Sequence, residues 1–260
     1  MPFTIAHVAA VLPFSRYLKP RQLLSAAIVG SMAPDFGVFL PIHLLRSETH
    51  SLLALATFIM PIGLACYWIF QLIIKPAVLA VLPDRAYQAA HPFAEPADIG
   101  SPRAWLLAAA GIFFGALTHL AWDTFTHEGA RGMRMIPALD ELMLGVGGHH
   151  VAGQRLLQDV SSLVGFAIIG WWVALALYRQ VPKDSGQRRL APRERTLWQN
   201  LYILTAILVA VAAIFLMHDP ESGRLGLSAA ATDAAVAGLR GLGASLLAVS
   251  IALNVRLFSR

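Results

Sequence analysis

The chain has 260 residues, of which 57% are hydrophobic and only 13% charged, about half the charged share of an ordinary soluble domain. So few charges cannot cover the surface of a water-soluble fold this size, so the composition indicates an integral membrane protein. The formal net charge of +5 is concentrated between Arg179 and Arg195. That concentration marks a cytoplasmic loop rather than a nucleic-acid surface, and no nucleic-acid partner is expected.

The chain opens Met1-Pro2-Phe3-Thr4-Ile5-Ala6-His7, with no positive charge ahead of the apolar residues, so no cleaved signal peptide is expected. Ile5–Phe14 is too short to span a bilayer. Gln22–Leu40 is interrupted by Pro34, just before Asp35. Both read as short helices packed against a bundle. Ser51–Ile74, Ala104–Phe125, Leu157–Tyr178 and Trp198–Met217 each supply about 20 apolar residues, the length that spans hydrocarbon as a helix. Val236–Phe258 is a fifth such segment. Pro76–Arg103 holds five of the 15 prolines and reads as an irregular loop, and His127–Leu156 as a glycine-rich one. Gly111 and Gly115 form a Gly-x-x-x-Gly pair that lets a neighbouring backbone approach closely. Gly238, Gly241 and Gly243 could do the same in the last helix. The single cysteine, Cys66, rules out a disulfide framework. The expected fold is all-α: a polytopic helical bundle with about five transmembrane helices and short N-terminal helices. Residues 1–156 form the half that carries the chemistry and 157–260 the C-terminal spans, within one continuous membrane domain.

Placing the basic 179–197 loop in the cytoplasm sets the orientation of every other segment. His127–Leu156 then lies outside and Pro76–Arg103 inside. His119, Asp123 and His127 recur every four residues, so on a helix they project from one face. Imidazole and carboxylate at this spacing can share a divalent ion. They close an otherwise apolar helix, where ionisable groups are costly and usually functional. With this orientation His7, Asp35, His50, His119, Asp123, His127 and the His149-His150 pair converge on the outer face. His43, His91 and His218 read as interface or solvated residues. Glu48 and Glu128 could orient histidines. Arg131 and Arg134 could meet an anionic substrate or lipid headgroups.

Pro2-Phe3-Thr4 through His7, Gly30-Ser31-Met32-Ala33-Pro34-Asp35, Thr49-His50-Ser51 and His119-x-x-x-Asp123 together resemble a family of bacterial membrane proteins described as membrane-bound metal-dependent hydrolases (YdjM-like). That family is in turn similar to the zinc-dependent phospholipases C and the single-strand-specific zinc nucleases. The resemblance implies a multi-pass protein of the bacterial inner membrane with its metal site on the outer, periplasmic face. It implies that Asp35, His50, His119 and Asp123 enclose one zinc, with Asp35 bridging towards a second near His7. His127 and His150 are in line for further ligand roles, but Gln154 stands where the related enzymes have a glutamate, so one or two Zn2+ ions are expected rather than three. The implied chemistry is hydrolysis of a phosphoester by zinc-activated water, with Asp35 or Asp123 orienting the water. A site at the membrane surface suits a lipid or lipid-linked substrate.

A non-catalytic metal binder is the competing reading, as a sensor, a scaffold or a transporter. Transport is disfavoured because 157–178 and 198–217 carry no ionisable group at mid-depth.

Overall fold

The computed structural model describes residues 4–40, 44–127, 131–136, 143–146, 149–179, 190–216 and 227–258. The elements are almost all helical. Helix α1 is Thr4–Phe14, α2 is Arg21–Gly30 and α3 is Leu52–Val81. Helix α4 is Asp84–Ala90 and α5 is Pro102–Thr126. A small antiparallel hairpin follows, with strand β1 at Met143–Val146 paired to β2 at His149–Ala152. Helix α6 is Gly153–Tyr178, α7 is Pro192–Leu216 and α8 is Leu227–Phe258. Among the described residues, four segments are long and apolar enough to cross a membrane: α3, α5, Leu156–Tyr178 of α6 and Val236–Phe258 of α8. Helix α7, 25 residues long, covers the remaining segment read as a span.

Two stretches read as loops are ordered. Helix α3 continues past Ile74 and through Pro76 to Val81, and α4 follows within the expected irregular region. A proline breaks a regular helix by clashing with the carbonyl four residues back. Here a π-helical turn at Phe70–Ile74 immediately precedes it and moves that carbonyl aside. The Asn254 side chain donates to the Ile73 carbonyl oxygen at 2.8 Å, satisfying one backbone acceptor in the widened turn. Within the expected 127–156 loop lie the hairpin and a one-turn helix at Arg131–Met135.

The chain divides into two units. The first comprises Met1–Gly37, Ile42–Tyr67 and Ala97–Gln180, and the second Val38–Pro41, Trp68–Pro96 and Val181–Arg260. In the second unit Ala77, Val81, Leu190 and Leu253 form a buried cluster flanked by Trp198 and Tyr202. Gln199 donates to the Val81 carbonyl at 2.6 Å. A Cβ on Gly241 would meet Val209, whereas Gly243 faces open space, so the glycines of α8 differ in role.

The first unit is organised by α2 against α5. A Cβ on Gly111 would come within 2.6 Å of the Ala26 Cβ and the Leu23 oxygen. One on Gly115 would collide with the Ala27 carbonyl oxygen and lie 2.6 Å from the Ser31 nitrogen. The Gly-x-x-x-Gly pair thus admits the backbone of α2. Gly30 does the same for the Ile112 backbone of α5. Below this contact, Ala33, Ala54, Leu55, Ile59 and Ala116 pack with Phe36, Phe58 and Leu120. The packing brings the start of α3 and the end of α5 to one end of the unit, with the Ala33–Phe39 3-10 turn beside them.

Candidate metal centre

His119 is completely buried on α5. Its Nδ1 lies 2.7 Å from the Ser31 carbonyl oxygen, and a carbonyl can only accept. Nδ1 therefore carries a proton, and the ring, when neutral, offers its lone pair at Nε2. That Nε2 is buried without a hydrogen-bond partner. It lies 3.5 Å from Asp123 Oδ2 and 3.7 Å from Asp35 Oδ1. His50 Nε2 lies 3.2 Å from Asp35 Oδ1 and 3.5 Å from Asp123 Oδ2.

These separations discriminate between two arrangements. Charged N–H···O bonds run at about 2.7–2.9 Å, shorter than any of the four. A tetrahedral ion bound at about 2.0–2.1 Å sets its donors roughly 3.3 Å apart. Distances of 3.2–3.7 Å match the edges of such a tetrahedron better than a network of ion pairs.

Each donor is fixed from behind. Thr4 Oγ1 donates to Asp35 Oδ2 at 2.8 Å, leaving Oδ1 towards the histidines. Thr49 Oγ1 sits 2.7 Å from His50 Nδ1 and 3.4 Å from the Arg46 carbonyl oxygen. The hydroxyl has one proton. Donating it to the carbonyl lets Oγ1 accept from Nδ1–H, which turns the His50 lone pair inward at Nε2. Burial works against charge on Asp35, but its carboxyl is held below the usual range, with the Thr4 hydroxyl donating to Oδ2. It stays ionised.

His7, on α1, stacks on His119 with ring centroids 3.8 Å apart and planes 19° from parallel. Its Nε2 is buried, unpartnered and 3.7 Å from Asp123 Oδ1. Burial lowers its pKa to about 4. His127 lies at the end of α5, its Nδ1 3.6 Å from Asp123 Oδ2. Burial depresses its pKa as well, against the pull of Asp123.

Among the described residues, two triples could hold a divalent ion: His7, His119 and Asp123, and Asp35, His50 and His119. His119 Nε2 belongs to both, and one lone pair binds one ion. Asp35 has its second oxygen on Thr4, whereas Asp123 turns Oδ1 to His7 and Oδ2 to the other histidines. Asp123 is thus the carboxylate that faces His7 on one side and His50 and His119 on the other.

Arg46 was not anticipated as a site residue. Its Nη2 donates to Asp123 Oδ2 at 2.5 Å, while 42% of its side chain stays exposed. It lies one helical turn before His50, the only hint the sequence carries. Glu48, a candidate orienting group, instead accepts from the Leu45 backbone N–H at 2.7 Å and caps the turn it begins. His91 is exposed in the second unit against Tyr87. Arg134 is exposed. Gln154 is described, its Oε1 buried and unpartnered. The backbones of His149 and His150 lie in β2, but the His150 side chain is outside the described residues. So are Glu128, the Arg131 side chain, His43 and His218.

The chain belongs to the family described as Domain of unknown function (DUF4184), which matches residues 1–251. No curated protein and no solved structure matches it. Membership covers nearly the whole chain and brings no assigned reaction. The likeness to membrane-bound hydrolases rests on the quoted residues alone.

Proposed function

We propose that this member of the DUF4184 family is a membrane-bound, zinc-dependent hydrolase of phosphoesters. The observation that carries the reading is the orphaned Nε2 of His119, its tautomer locked by a backbone carbonyl and Asp35 Oδ1 at tetrahedral spacing from it. Imidazole nitrogens with carboxylate oxygens suit zinc. The positive-inside orientation of the basic loop puts the site on the periplasmic side of a bacterial inner membrane.

Asp35, His50 and His119 hold the ion. Asp123 already accepts from Arg46, so three protein donors would hold the ion, the ligand count of catalytic rather than closed structural zinc. A zinc ion held there would supply Lewis-acid polarisation of a phosphoryl oxygen and an acidified water. Asp123 Oδ2, 3.5 Å from both His50 and His119 Nε2, would orient an attacking water and take its proton. Arg46 presents a half-exposed guanidinium next to the same carboxylate and offsets the negative charge of the phosphoester. His119, Asp35 and His50 keep their donor atoms aimed because Ser31, Thr4 and Thr49 hold their far sides.

A structural metal centre is the second reading, and one observation favours it. If Asp123 joins the other three donors, the site is closed. Hydrolysis of a chromogenic phosphodiester by the detergent-purified protein separates the two. Activity abolished by chelator and restored by zinc is expected. Asp35→Asn should lose metal and activity together. Asp123→Asn should keep most of its zinc while turnover drops about 10²–10⁴-fold, the usual effect of removing a general base. Full zinc occupancy with no hydrolysis of soluble or lipid phosphoesters would leave the structural reading standing.

A further inference from the structure

A cavity of about 320 Å³ opens beside the metal centre, between α1, α5 and α6. Its walls are apolar except for His7 and Ser161. It exists because the facing residues are small. Ala6, Ala9 and Ala10 line one side, and Gly165 on α6 supplies no side chain opposite them. A Cβ on Gly165 would lie only 2.9 Å from the Ala6 carbonyl oxygen, so α1 sits as near to α6 as backbone allows. The rim faces outward through Trp122 and Val164, which are 39% and 51% exposed on two of the apolar spans. In a bilayer those surfaces meet lipid hydrocarbon. The inner end is His7, whose other neighbours are His119 and Asp123 of the metal centre.

From this juxtaposition we infer that the cavity seats one hydrocarbon chain of a membrane lipid whose phosphoester headgroup lies at the metal centre. The inference rests on the hydrolase reading for the headgroup and adds where the tail goes. A methylene fills the volume of a liquid water, about 30 Å³, so the cavity takes a chain of roughly ten carbons. The chain enters sideways from the leaflet and never crosses water. His7 is the wall between tail and headgroup, its ring lining the cavity and stacking on His119 of the metal centre. A soluble phosphoester would use the metal and Arg46 but leave the cavity unfilled.

Non-hydrolysable alkylphosphonates test this without relying on turnover. Binding of ethylphosphonate and dodecylphosphonate to the zinc-loaded protein in detergent is compared for wild type, Ala10→Phe, Val164→Trp and Leu163→Phe. Ala10 and Val164 line the cavity; Leu163 is exposed on α6 and does not. The first two variants should weaken dodecylphosphonate about tenfold or more, since each displaced methylene is worth about fourfold. They should leave ethylphosphonate and zinc content unchanged, and Leu163→Phe should behave as wild type. Normal zinc content shows that a variant has folded; two filling variants guard against one failing. Dodecylphosphonate binding that ignores both filling substitutions would overturn the tail site while the hydrolase reading stands. Failure of either phosphonate to bind zinc-loaded wild type would overturn both.

Discussion

Thr49→Val is the most incisive perturbation of the site because it leaves every donor atom in place. Thr49 is buried, and valine preserves its shape while removing the oxygen 2.7 Å from His50 Nδ1. His50 would then lose the contact that fixes its tautomer and ring orientation. Loss of such an outer contact typically costs 10–100-fold in metal affinity, or about 1.4–2.7 kcal/mol. The same figure appears in thermal stability through linkage. At a free zinc concentration about 1,000 times the wild-type Kd, binding stabilises the fold by about 4.1 kcal/mol. At that zinc concentration Thr49→Val would retain only about 1.4–2.7 kcal/mol. The assay is competition against a chromophoric chelator, with melting followed in detergent with and without zinc. The zinc-induced rise in Tm should shrink by about one to two thirds. The zinc-free melting point serves as its own reference for packing changes from the lost hydroxyl. Wild-type affinity in Thr49→Val, alongside loss of zinc in His50→Ala, would refute the orienting role of Thr49. Unchanged zinc in both would remove His50 from the site.

Three further outcomes follow. Wild-type protein should retain about one or two equivalents of zinc, and His119→Ala should lose most of it, while His91→Ala in the second unit should not; metal analysis after dialysis decides. Gly115→Ala should destabilise the α2–α5 contact by about 1–3 kcal/mol because its new Cβ meets backbone atoms of Ala27 and Ser31, whereas Gly243→Ala, facing open space, should melt like wild type. A reporter active only in the cytoplasm should work when fused near Gln187 and fail near Ser222, and the reverse would put the metal centre on the cytoplasmic side.

The helices were legible because a bilayer demands long apolar runs, and the register of His119, Asp123 and His127 because the helical repeat is fixed. Other features were settled by tertiary contacts that a linear pattern does not carry. Pro76 reads as a breaker, yet the preceding π turn and Asn254, 181 residues away from Ile73, let the helix continue. Arg46 looks like an ordinary interfacial cation until α3 and α5 bring it to Asp123, 77 residues on. The Gly147-Gly148 pair between β1 and β2 is a familiar hairpin signal, but it lies in a segment with too few alternating residues to stand out. The choice between Asp35 and Asp123 as the carboxylate facing two ways turns on Thr4, which occupies one Asp35 oxygen. No spacing rule encodes that.

The bond that fixes His119 has a practical consequence for mutational mapping. Its acceptor is the carbonyl oxygen of Ser31, while the Ser31 hydroxyl is turned away to Ile28. Replacing Ser31 by alanine therefore deletes nothing that His119 uses, and an alanine scan along this segment would pass over it in silence. The bond can be broken only by bending the main chain, and the residues that hold the main chain there are Gly115 and its partners on the facing helix. A substitution at a glycine with no donor atom of its own, one helical turn before His119, would then register as weakened zinc binding.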